Sequence, residues 1–245
     1  KGFYNSGFFM QKKQSVNKPK LSVIIVNYNH KYFPRLALEA LEKSKTDFRF
    51  EVIFVDNSSS SHDESVGFLR KAAKEKRITL IESPKNVGFG AGNNLGLKIA
   101  KGEYALLHNP DTTVETDSLQ KLVNYFEKRP EIGLLGPKLV YSNGDTQDSC
   151  RRFMTFADLI IKRTPLKNLN PWKKRLGHYL MEDFDHDKIQ EVDLITGAMM
   201  LARRDFLWGR LKGFDDRYFL FMEDFDLSQR THRAGKKVVY FPEVA

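Results

Sequence analysis

Leu106-Leu107-His108-Asn109-Pro110-Asp111 is the stretch that decides the fold. The apolar run Tyr104–Leu107 predicts a buried strand, which must end before Pro110 because proline cannot stay in a central ladder. Asn109 and Asp111 then lie at the carboxyl end of that strand, where an open α/β sheet binds its ligands. Oxygen ligands there suit a hard divalent cation that also holds a diphosphate. The alternative is that Asp111 caps the following helix or closes an Asx-turn.

Three further strands precede this one, and helical patterns separate them. The predicted strands are Leu21–Val26, Phe50–Val55 and Ile78–Ile81. The predicted helices are Tyr32–Lys45, a segment with Val66, Leu69, Ala72 and Ala73 on one face, and one that starts at Thr116. Between them, Lys85–Gly96 is predicted as a glycine- and asparagine-rich loop that feeds a helix to Ala100. Strict strand–helix alternation predicts an α/β fold with a parallel sheet and right-handed crossovers.

Polar residues follow the ends of these strands. Asn27-Tyr28-Asn29-His30 follows the first strand and Asp56–Asn57 the second. The carboxyl ends of parallel strands line one crevice. We therefore expect six side chains to converge on one ligand, namely Asp56, Asn57, Asn93, Asn94, Asn109 and Asp111. The alternative for each of them is a cap or turn residue.

After residue 131 the pattern becomes less regular. Strands are predicted at Ile132–Leu135, Lys138–Tyr141, Glu191–Thr196 and Lys237–Phe241, with a hairpin-like turn at Ser142–Asp145. A bulky apolar stretch from Tyr218 leads into a helix that continues to Gly235. This second part of the chain therefore adds strands and a helix to the first.

The net charge of +9 is concentrated in two segments. Residues 1–20 carry +5 and residues 151–175 carry +7, so the other 200 residues carry −3. A nucleic-acid binder would show its basic excess on the folded body. We therefore expect no nucleic-acid partner.

Residues 151–175 are basic, aromatic and amphipathic, as in a segment that lies in a membrane interface and meets anionic lipid. The alternative is a solvated helix that packs over the sheet. No apolar run is long enough to cross a bilayer, and no secretory signal is evident. Cys150 is the only cysteine, which fits a reducing compartment. We expect a cytoplasmic protein, peripheral at the inner face of the plasma membrane.

A second acidic cluster, Glu223, Asp224 and Asp226, opens the helix that ends near Gly235. Acids in a first helical turn are favoured by the helix dipole, so a purely structural role is the alternative. At 100° per residue, Asp224 points away from the other two. A carboxylate beside Phe221, Met222 and Phe225 would lose hydration, which raises its pKa and makes it a better base. The chain thus offers a base in addition to the diphosphate site.

A dinucleotide-binding fold is the main competitor, because Gly88-Phe89-Gly90-Ala91-Gly92 follows a strand and opens a helix. This run lacks the G-x-G-x-x-G spacing and follows the third strand, not the first. It also lacks an acidic partner at the expected distance. A P-loop is excluded because no Gly-Lys-Ser/Thr occurs.

The chain resembles the family 2 glycosyltransferases with the GT-A fold, specifically their bacterial rhamnosyltransferase-type members. Six motifs carry the resemblance, in order: Leu21–Asn29, Val55–Ser59, Lys85–Asn94, Leu107–Asp111, Gly197–Met200, and Gly213–Asp215 through Glu223–Leu227. The resemblance implies a Rossmann-like, mostly parallel sheet flanked by helices, with a smaller acceptor-side subregion.

The resemblance also implies roles for single residues. Tyr28 lies against the nucleotide base and Asp56 hydrogen-bonds that base. The implied nucleotide-sugar site comprises Asn27, Tyr28, Asn29, Asp56, Asn57, Asn86, Gly88, Asn93, Asn94 and Asn109. Asp111 binds Mg²⁺ or Mn²⁺. Asp224 is the general base, with Glu223 and Gly197 supporting it on the acceptor side.

We therefore expect a basic flexible tail over residues 1–20, a nucleotide-sugar-binding half over 21–140 and an acceptor-binding half with the catalytic base over 141–245. The implied reaction is metal-dependent, inverting transfer from a UDP- or dTDP-sugar, with dTDP-rhamnose as a candidate. The acceptor is a hydroxyl of a cell-envelope glycan or lipid-linked molecule. A family histidine that follows a pair such as Pro242–Glu243 is missing, so we expect C-terminal truncation. The alternative is a non-catalytic nucleotide-sugar-binding accessory module at the membrane surface.

Overall fold

A computed structural model describes residues 18–181 and 184–244, so nearly all of the expected tail over 1–20 lies outside the described residues. The strands are β1 (Leu21–Asn27), β2 (Phe50–Asp56), β3 (Thr79–Glu82), β4 (Tyr104–His108), β5 (Ile132–Pro137), β6 (Cys150–Arg151), β7 (Gln190–Glu191), β8 (Leu194–Ile195), β9 (Met199–Arg203) and β10 (Lys237–Phe241). The helices are α1 (Phe33–Glu42), α2 (Glu64–Lys74), α3 (Phe89–Ile99), α4 (Ser118–Glu127), α5 (Phe156–Arg163), α6 (Asn170–Leu180) and α7 (Glu223–Arg233). A 3₁₀ turn covers Pro165–Asn168 and a π-helical turn covers Asp205–Arg210.

The main sheet has the order β3-β2-β1-β4-β9-β5-β10-β7. Strands β1 to β4 pair in parallel, as the alternation predicted. Every residue of β1 is buried, because helices cover both faces of the sheet. Strand β9 enters antiparallel between β4 and β5. The sheet is thus mostly parallel, and the α/β class is confirmed.

Two predicted strands are wrong. In Lys138–Tyr141 only Val140 pairs, through an isolated bridge to Thr146 across the predicted turn. The stretch Glu191–Thr196 divides between β7 at the edge of the main sheet and β8, which pairs with β6 in a small second sheet. Glu191 is exposed whereas Leu194 and Ile195 are buried, so the chain leaves the edge for the interior.

Helix α3 begins at Phe89, inside the segment predicted as a loop. Its glycines let the helix approach the sheet closely. A Cβ on Gly96 would lie 2.5 Å from Cγ2 of Ile24, and one on Gly92 would lie 2.9 Å from Cγ1 of Val26. Glycine disfavours helices in isolation, but close packing on β1 outweighs that preference here.

The core has two parts, one on each face of the sheet. Helices α1, α2 and α4 cover one face, with residues such as Leu38, Leu69 and Phe126. Helices α3 and α7 cover the other face, with Leu97 and Leu227. The result is a three-layer α/β domain that leaves the carboxyl ends of the strands uncovered by these helices.

Helices α5 and α6 form a hairpin that packs mainly on itself and on β6. Among the described residues, its main contacts are thus not with the main sheet, over which the alternative for residues 151–175 placed it. Within 18–181 and 184–244, no helix combines the length and apolar character needed to cross a bilayer.

Candidate active site

The first predicted site residues lie where β1 and β2 end side by side, with Asn27 opposite Asp56. The Asp56 carboxylate accepts hydrogen bonds from Asn27 Nδ2 (2.9 Å) and from the Ser59 backbone N–H (3.1 Å). Asn27 is completely buried and also donates to Ser59 and Ser65. The structure therefore corrects the prediction for Asn27. Its side chain is inaccessible to a ligand and instead orients the Asp56 carboxylate through a hydrogen bond.

Tyr28 and Asn29 turn outward beside this pair. The Tyr28 side chain is 44% exposed, so its ring is available to a ligand. Asn29 has a positive φ of 57°, and its Oδ1 accepts a hydrogen bond from Ser60 N–H (2.8 Å). Its own backbone N–H donates to Ser59 Oγ (2.9 Å). Asn29 thus stiffens the loop that presents Tyr28.

Asn57, Asn86 and Gly88 form one hydrogen-bonded loop. Asn57 Nδ2 donates to Asn86 Oδ1 (2.8 Å) and Gly88 O (3.1 Å), and Asn57 Oδ1 accepts from Val87 N–H (3.0 Å). Asn86 Oδ1 also accepts from Gly88 N–H (2.9 Å). These amides fix the conformation of the loop, so a donor would contact the loop's backbone and its exposed atoms.

Asn93 faces the protein interior, whereas Asn94 is half-buried. Asn93 is only 1% exposed and donates to Phe89 O (3.0 Å), which corrects its predicted contact with the donor. The Asn94 amide accepts from Phe214 N–H (2.9 Å) and donates to Phe214 O and Asp216 Oδ1 (both 2.8 Å). Asn93 thus bonds within α3, and Asn94 ties α3 to the Phe214–Asp216 segment.

The end of β4 carries the other acid of the first half. Asn109 N–H donates to Ala198 O (2.8 Å), which joins this strand end to the start of β9. Asp111 is exposed and lines a cavity of about 460 Å³ between Thr112–Glu115 and Leu139–Ser142. Asp111 is not the cap of α4, whose N-cap residue is Asp117. The Asp111 carboxylate thus borders open space and has no hydrogen bond or ion pair with the rest of the described chain.

This strand end fits a metal ion only together with a diphosphate. Across the described ranges, no three acidic, histidine or cysteine side chains cluster closely enough to hold a metal ion. Mg²⁺ is commonly bound through one or two carboxylates plus substrate phosphates. Asp111 supplies one carboxylate, and Asn109 Oδ1 is buried without a hydrogen-bond partner from the described residues. His108 is buried, which lowers its pKa to about 4, so its ring is neutral at pH 7.

Asp224 lies in the first turn of α7 and is partly buried. Its Oδ1 accepts a hydrogen bond from Phe225 N–H (2.8 Å), and its Oδ2 lies 3.4 Å from Gly197 N. Burial raises the pKa of Asp224, while these N–H groups and the positive charge of Arg151 oppose the rise. The apolar neighbours differ from those expected, because Phe221 and Met222 are 75% and 47% exposed.

Sequence reasoning missed two residues close to Asp224. Arg151 in β6 is near enough for its positive charge to lower the pKa of Asp224. Tyr179 in α6 is near enough for the charge of Asp224 to raise the pKa of the tyrosine. The β6–β8 pairing brings this region to Gly197, which follows β8. No spacing in the sequence could have linked these segments, because the contact is made only by tertiary pairing.

Glu223 is buried with one oxygen, Oε2, that has no hydrogen-bond partner among the described residues. Burial raises its pKa, and the charge of Asp224 adds to the rise. A carboxyl whose folded pKa exceeds its unfolded value destabilises the fold above the folded pKa, and this cost disappears as the pH falls through it. We expect Glu223→Gln to raise the free energy of unfolding at pH 7.5 by on the order of 1 kcal/mol. Urea unfolding at pH 7.5 and pH 5 measures the effect, which should shrink at the lower pH.

Glu39→Gln is the matched control, because Glu39 is exposed on α1. Its substitution should change stability little at either pH. A Glu223→Gln protein less stable than the wild type at pH 7.5 would contradict the electrostatic explanation.

Phe89 and Gly197 bring the separate loops into contact. Phe89 N–H donates to Phe219 O (3.0 Å), and the Phe89 ring lies 3.0 Å from where a Cβ on Gly197 would be. Gly197 adjoins Asp224, and the next carbonyl, that of Ala198, binds the strand end before Asp111. The segments that carry Asn57, Asn109 and Asp224 are therefore consecutive neighbours at one sheet edge. That one ligand spans Asp56, Asp111 and Asp224 stays a prediction.

The glycosyl transferase family 2 profile matches residues 22–210 of this chain. The N-acetylglucosaminyl-diphospho-decaprenol L-rhamnosyltransferase of Mycobacterium tuberculosis is 26% identical over 210 residues, which cover 80% of this chain and 66% of that relative. Rhamnosyltransferase WbbL of Escherichia coli K12 is 28% identical over 229 residues, which cover 90% of this chain and 80% of WbbL. The chain thus spans just under two thirds of the first relative.

A solved structure confirms the fold. The mannosyltransferase PcManGT from Pyrobaculum calidifontis, in complex with GDP-Man and Mn²⁺, matches with a TM-score of 0.63 and 18% identity. The match covers 93% of this chain and 56% of that protein. At this identity the likeness concerns the fold alone, which is GT-A.

Proposed function

This chain belongs to glycosyl transferase family 2 and is similar to bacterial rhamnosyltransferases, and we propose that it transfers a sugar from a nucleoside diphosphate to an acceptor hydroxyl with inversion. One observation carries the proposal. The partly buried Asp224 carboxylate lies beside Gly197, next to the strand end that leads to Asp111. A base and a diphosphate site thus occur on neighbouring segments.

The donor side of the proposed site is the edge formed by β1, β2 and the loop before α3. The exposed ring of Tyr28 can lie against a nucleobase, and Asp56, oriented by Asn27, can accept a hydrogen bond from it. The loop around Asn86 and Gly88 would border the donor. A UDP-sugar or a dTDP-sugar fits this description, and rhamnose is the favoured sugar because both relatives are rhamnosyltransferases.

Asp111 is the proposed ligand of Mg²⁺ or Mn²⁺ at the diphosphate. Such an ion, when bound, would neutralise the charge that grows on the leaving diphosphate. Asp111 would hold the donor in a fixed position relative to the acceptor side. Asn109 lies at the same strand end, but its Oδ1 is buried, so a ligand would have to reach into the strand end to contact it.

Asp224 is the proposed general base. It would remove the proton of the acceptor hydroxyl as the hydroxyl oxygen forms a bond to the anomeric carbon. The bond from that carbon to the diphosphate oxygen breaks, and the nucleoside diphosphate leaves with the electron pair. A raised pKa suits this role, because a more basic carboxylate takes up the proton more readily near neutral pH. The acceptor is a cell-envelope glycan or a lipid-linked molecule, as the first relative's name suggests.

A panel of nucleotide sugars tests this function. UDP-, dTDP- and GDP-sugars are added with Mn²⁺, and the melting temperature is recorded. A matching donor present at 100 times its Kd should stabilise the fold by about 2.7 kcal/mol. The same donor should then release nucleoside diphosphate when acceptor is supplied. Stabilisation without release, even with acceptor, would indicate the accessory binding module and overturn the enzyme proposal.

Asp111→Ala should remove the metal-dependent part of donor binding. We expect the donor Kd measured with Mn²⁺ to rise by at least about 100-fold, because even outer-shell substitutions at metal sites cost 10–100-fold. Isothermal titration with and without EDTA measures this. Asp117→Ala is the control, since Asp117 is exposed nearby and pairs only with Lys121 (2.8 Å) among the described residues. Equal metal-dependent affinity in Asp111→Ala and wild type would remove the assignment.

A further inference from the structure

The hairpin of α5 and α6 exposes large apolar side chains along α5 and around its turn. Phe156 and Ile160, one helical turn apart in α5, are 78% and 46% exposed. The connection and the start of α6 add Leu166, Leu169 and Trp172, which are 38%, 54% and 36% exposed. We call these five residues the apolar tip. A soluble surface rarely groups large apolar side chains in this way unless something covers them.

The same hairpin carries exposed cations. The exposed side chains of Lys162, Arg163, Lys173 and Lys174 form what we call the basic collar. In the described part of the chain, none of these four makes an ion pair with an acid, and Lys162 lies 5.9 Å from the centre of the Tyr179 ring. The hairpin's single acid, Asp158, is already bound by Arg175 (2.5 Å). The hairpin therefore exposes both large apolar side chains and a net positive charge.

We propose that this hairpin docks onto the surface of an anionic phospholipid bilayer. Apolar side chains with a cationic rim are the combination that places a helix in the interface of a charged membrane. The tip would enter the boundary between headgroups and acyl chains, and the collar would pair with lipid phosphates. A protein partner would have to supply a matching acidic rim, whereas an anionic leaflet supplies negative charge without further specificity.

The base of the hairpin lies next to Asp224. Arg152 N–H donates to Tyr179 O (3.1 Å), which closes the hairpin at β6, and Arg151 and Tyr179 are electrostatic neighbours of Asp224. A docked hairpin would hold this carboxylate near the lipid surface, where a lipid-linked hydroxyl arrives. This placement of Asp224 near a lipid-linked acceptor rests on the proposed function, whereas the docking of the hairpin on the bilayer does not.

Vesicle co-sedimentation of the whole chain tests docking, with no nucleotide sugar present. The wild type should bind vesicles of three parts phosphatidylcholine to one part phosphatidylglycerol. It should bind vesicles of phosphatidylcholine alone weakly, and raising NaCl from about 0.1 M to about 0.5 M should reduce binding to the anionic vesicles. Lys173→Glu/Lys174→Glu should lower the partition coefficient at least about tenfold, since each cation near such a surface contributes roughly fivefold.

Leu169→Ser/Trp172→Ser should also lower binding at both salt concentrations, because it removes the apolar contribution. Two matched controls should bind like the wild type. Lys43→Glu/Lys45→Glu makes the same charge change on exposed lysines outside the hairpin, and Leu36→Ser removes an apolar residue that is 48% exposed on α1.

Trp172 offers a second measurement, because the chain has only one other tryptophan, Trp208. In a Trp208→Phe background, anionic vesicles should shift Trp172 emission to the blue. Three results would overturn the proposal: no binding by the wild type, equal binding by the hairpin variants, or a concentration-dependent dimer that Leu169→Ser/Trp172→Ser abolishes. Donor binding is measured separately, so failure of docking leaves the proposed transfer reaction untouched, and the reverse also holds.

Discussion

Replacing Asp224 with asparagine is expected to lower the rate of sugar transfer by about 10²–10⁴-fold, the usual contribution of a general base. Asparagine keeps the size of the side chain and can still accept the hydrogen bond from Phe225 N–H. Donor affinity should therefore stay within a factor of two or so of wild type. The measurement is the release of nucleoside diphosphate with acceptor present, with the donor Kd determined in parallel.

The matched control is Asp226→Asn in the same helical turn. Asp226 is already paired with Arg230 (2.7 Å), so its charge serves the fold and transfer should persist. The pH profile gives an independent check. Because burial raises the pKa of Asp224, kcat/KM of the wild type should fall on the acid side with an apparent pKa above that of an ordinary aspartate. Full transfer by Asp224→Asn would falsify the assignment of the base.

Gly88→Ala is expected to destabilise the protein by about 3 kcal/mol, which corresponds to about 6–12 °C in Tm for a chain of this size. Gly88 has a φ of 89° and a ψ of 174°, a region that residues with a Cβ rarely occupy. A Cβ there would also lie 2.2 Å from Phe219 O. This backbone atom could move only if the bond from Phe89 N–H to Phe219 O were disturbed. Donor affinity should fall too, because the Asn57–Asn86 loop would shift.

Gly144→Ala is the control that separates the backbone strain of a positive φ from the steric clash with Phe219. Gly144 has the same φ of 89°, but a Cβ would meet nothing within 4 Å. The control should therefore lose only the conformational part, about 1 kcal/mol, and keep its donor affinity. Thermal unfolding and donor titration of both variants give the comparison. Equal losses in the two proteins would show that the contact with Phe219 has no energetic importance.

Much of the fold could be predicted because its signals are local. The strand Leu21–Asn27 was predicted as Leu21–Val26, a run in which Ser22 is the one polar residue, and the last strand, Lys237–Phe241, was predicted with its observed bounds. Helix α3 was placed too late because the favourable contacts of its glycines are with Ile24 and Val26, far away in the chain. Helix propensity reflects the destabilising effect of a glycine in a helix, but it does not include the tertiary packing that offsets that effect.

The same division holds for the candidate site. The order of polar residues at strand ends was readable, and so was the different direction of Asp224 from its acidic neighbours. The burial of Asn27 and Asn93 could not be predicted from the sequence. An asparagine that binds a ligand and one that supports a loop occur in the same kind of sequence context. The exposure of Phe221 and Met222 was also hidden, since both adopt positive φ values that turn their side chains outward.

Alternation of apolar strands with helices was enough to predict the α/β domain, because that pattern depends on residues a few positions apart. Polar residues after the strands likewise indicated a candidate ligand-binding edge and the acids that could act there. Tertiary structure alone decided that β9 enters antiparallel, that Phe219 O meets Gly88, and that Arg151 lies near Asp224. Those contacts join segments that are distant in sequence. Their energies depend on burial and on partners that exist only after the chain has folded.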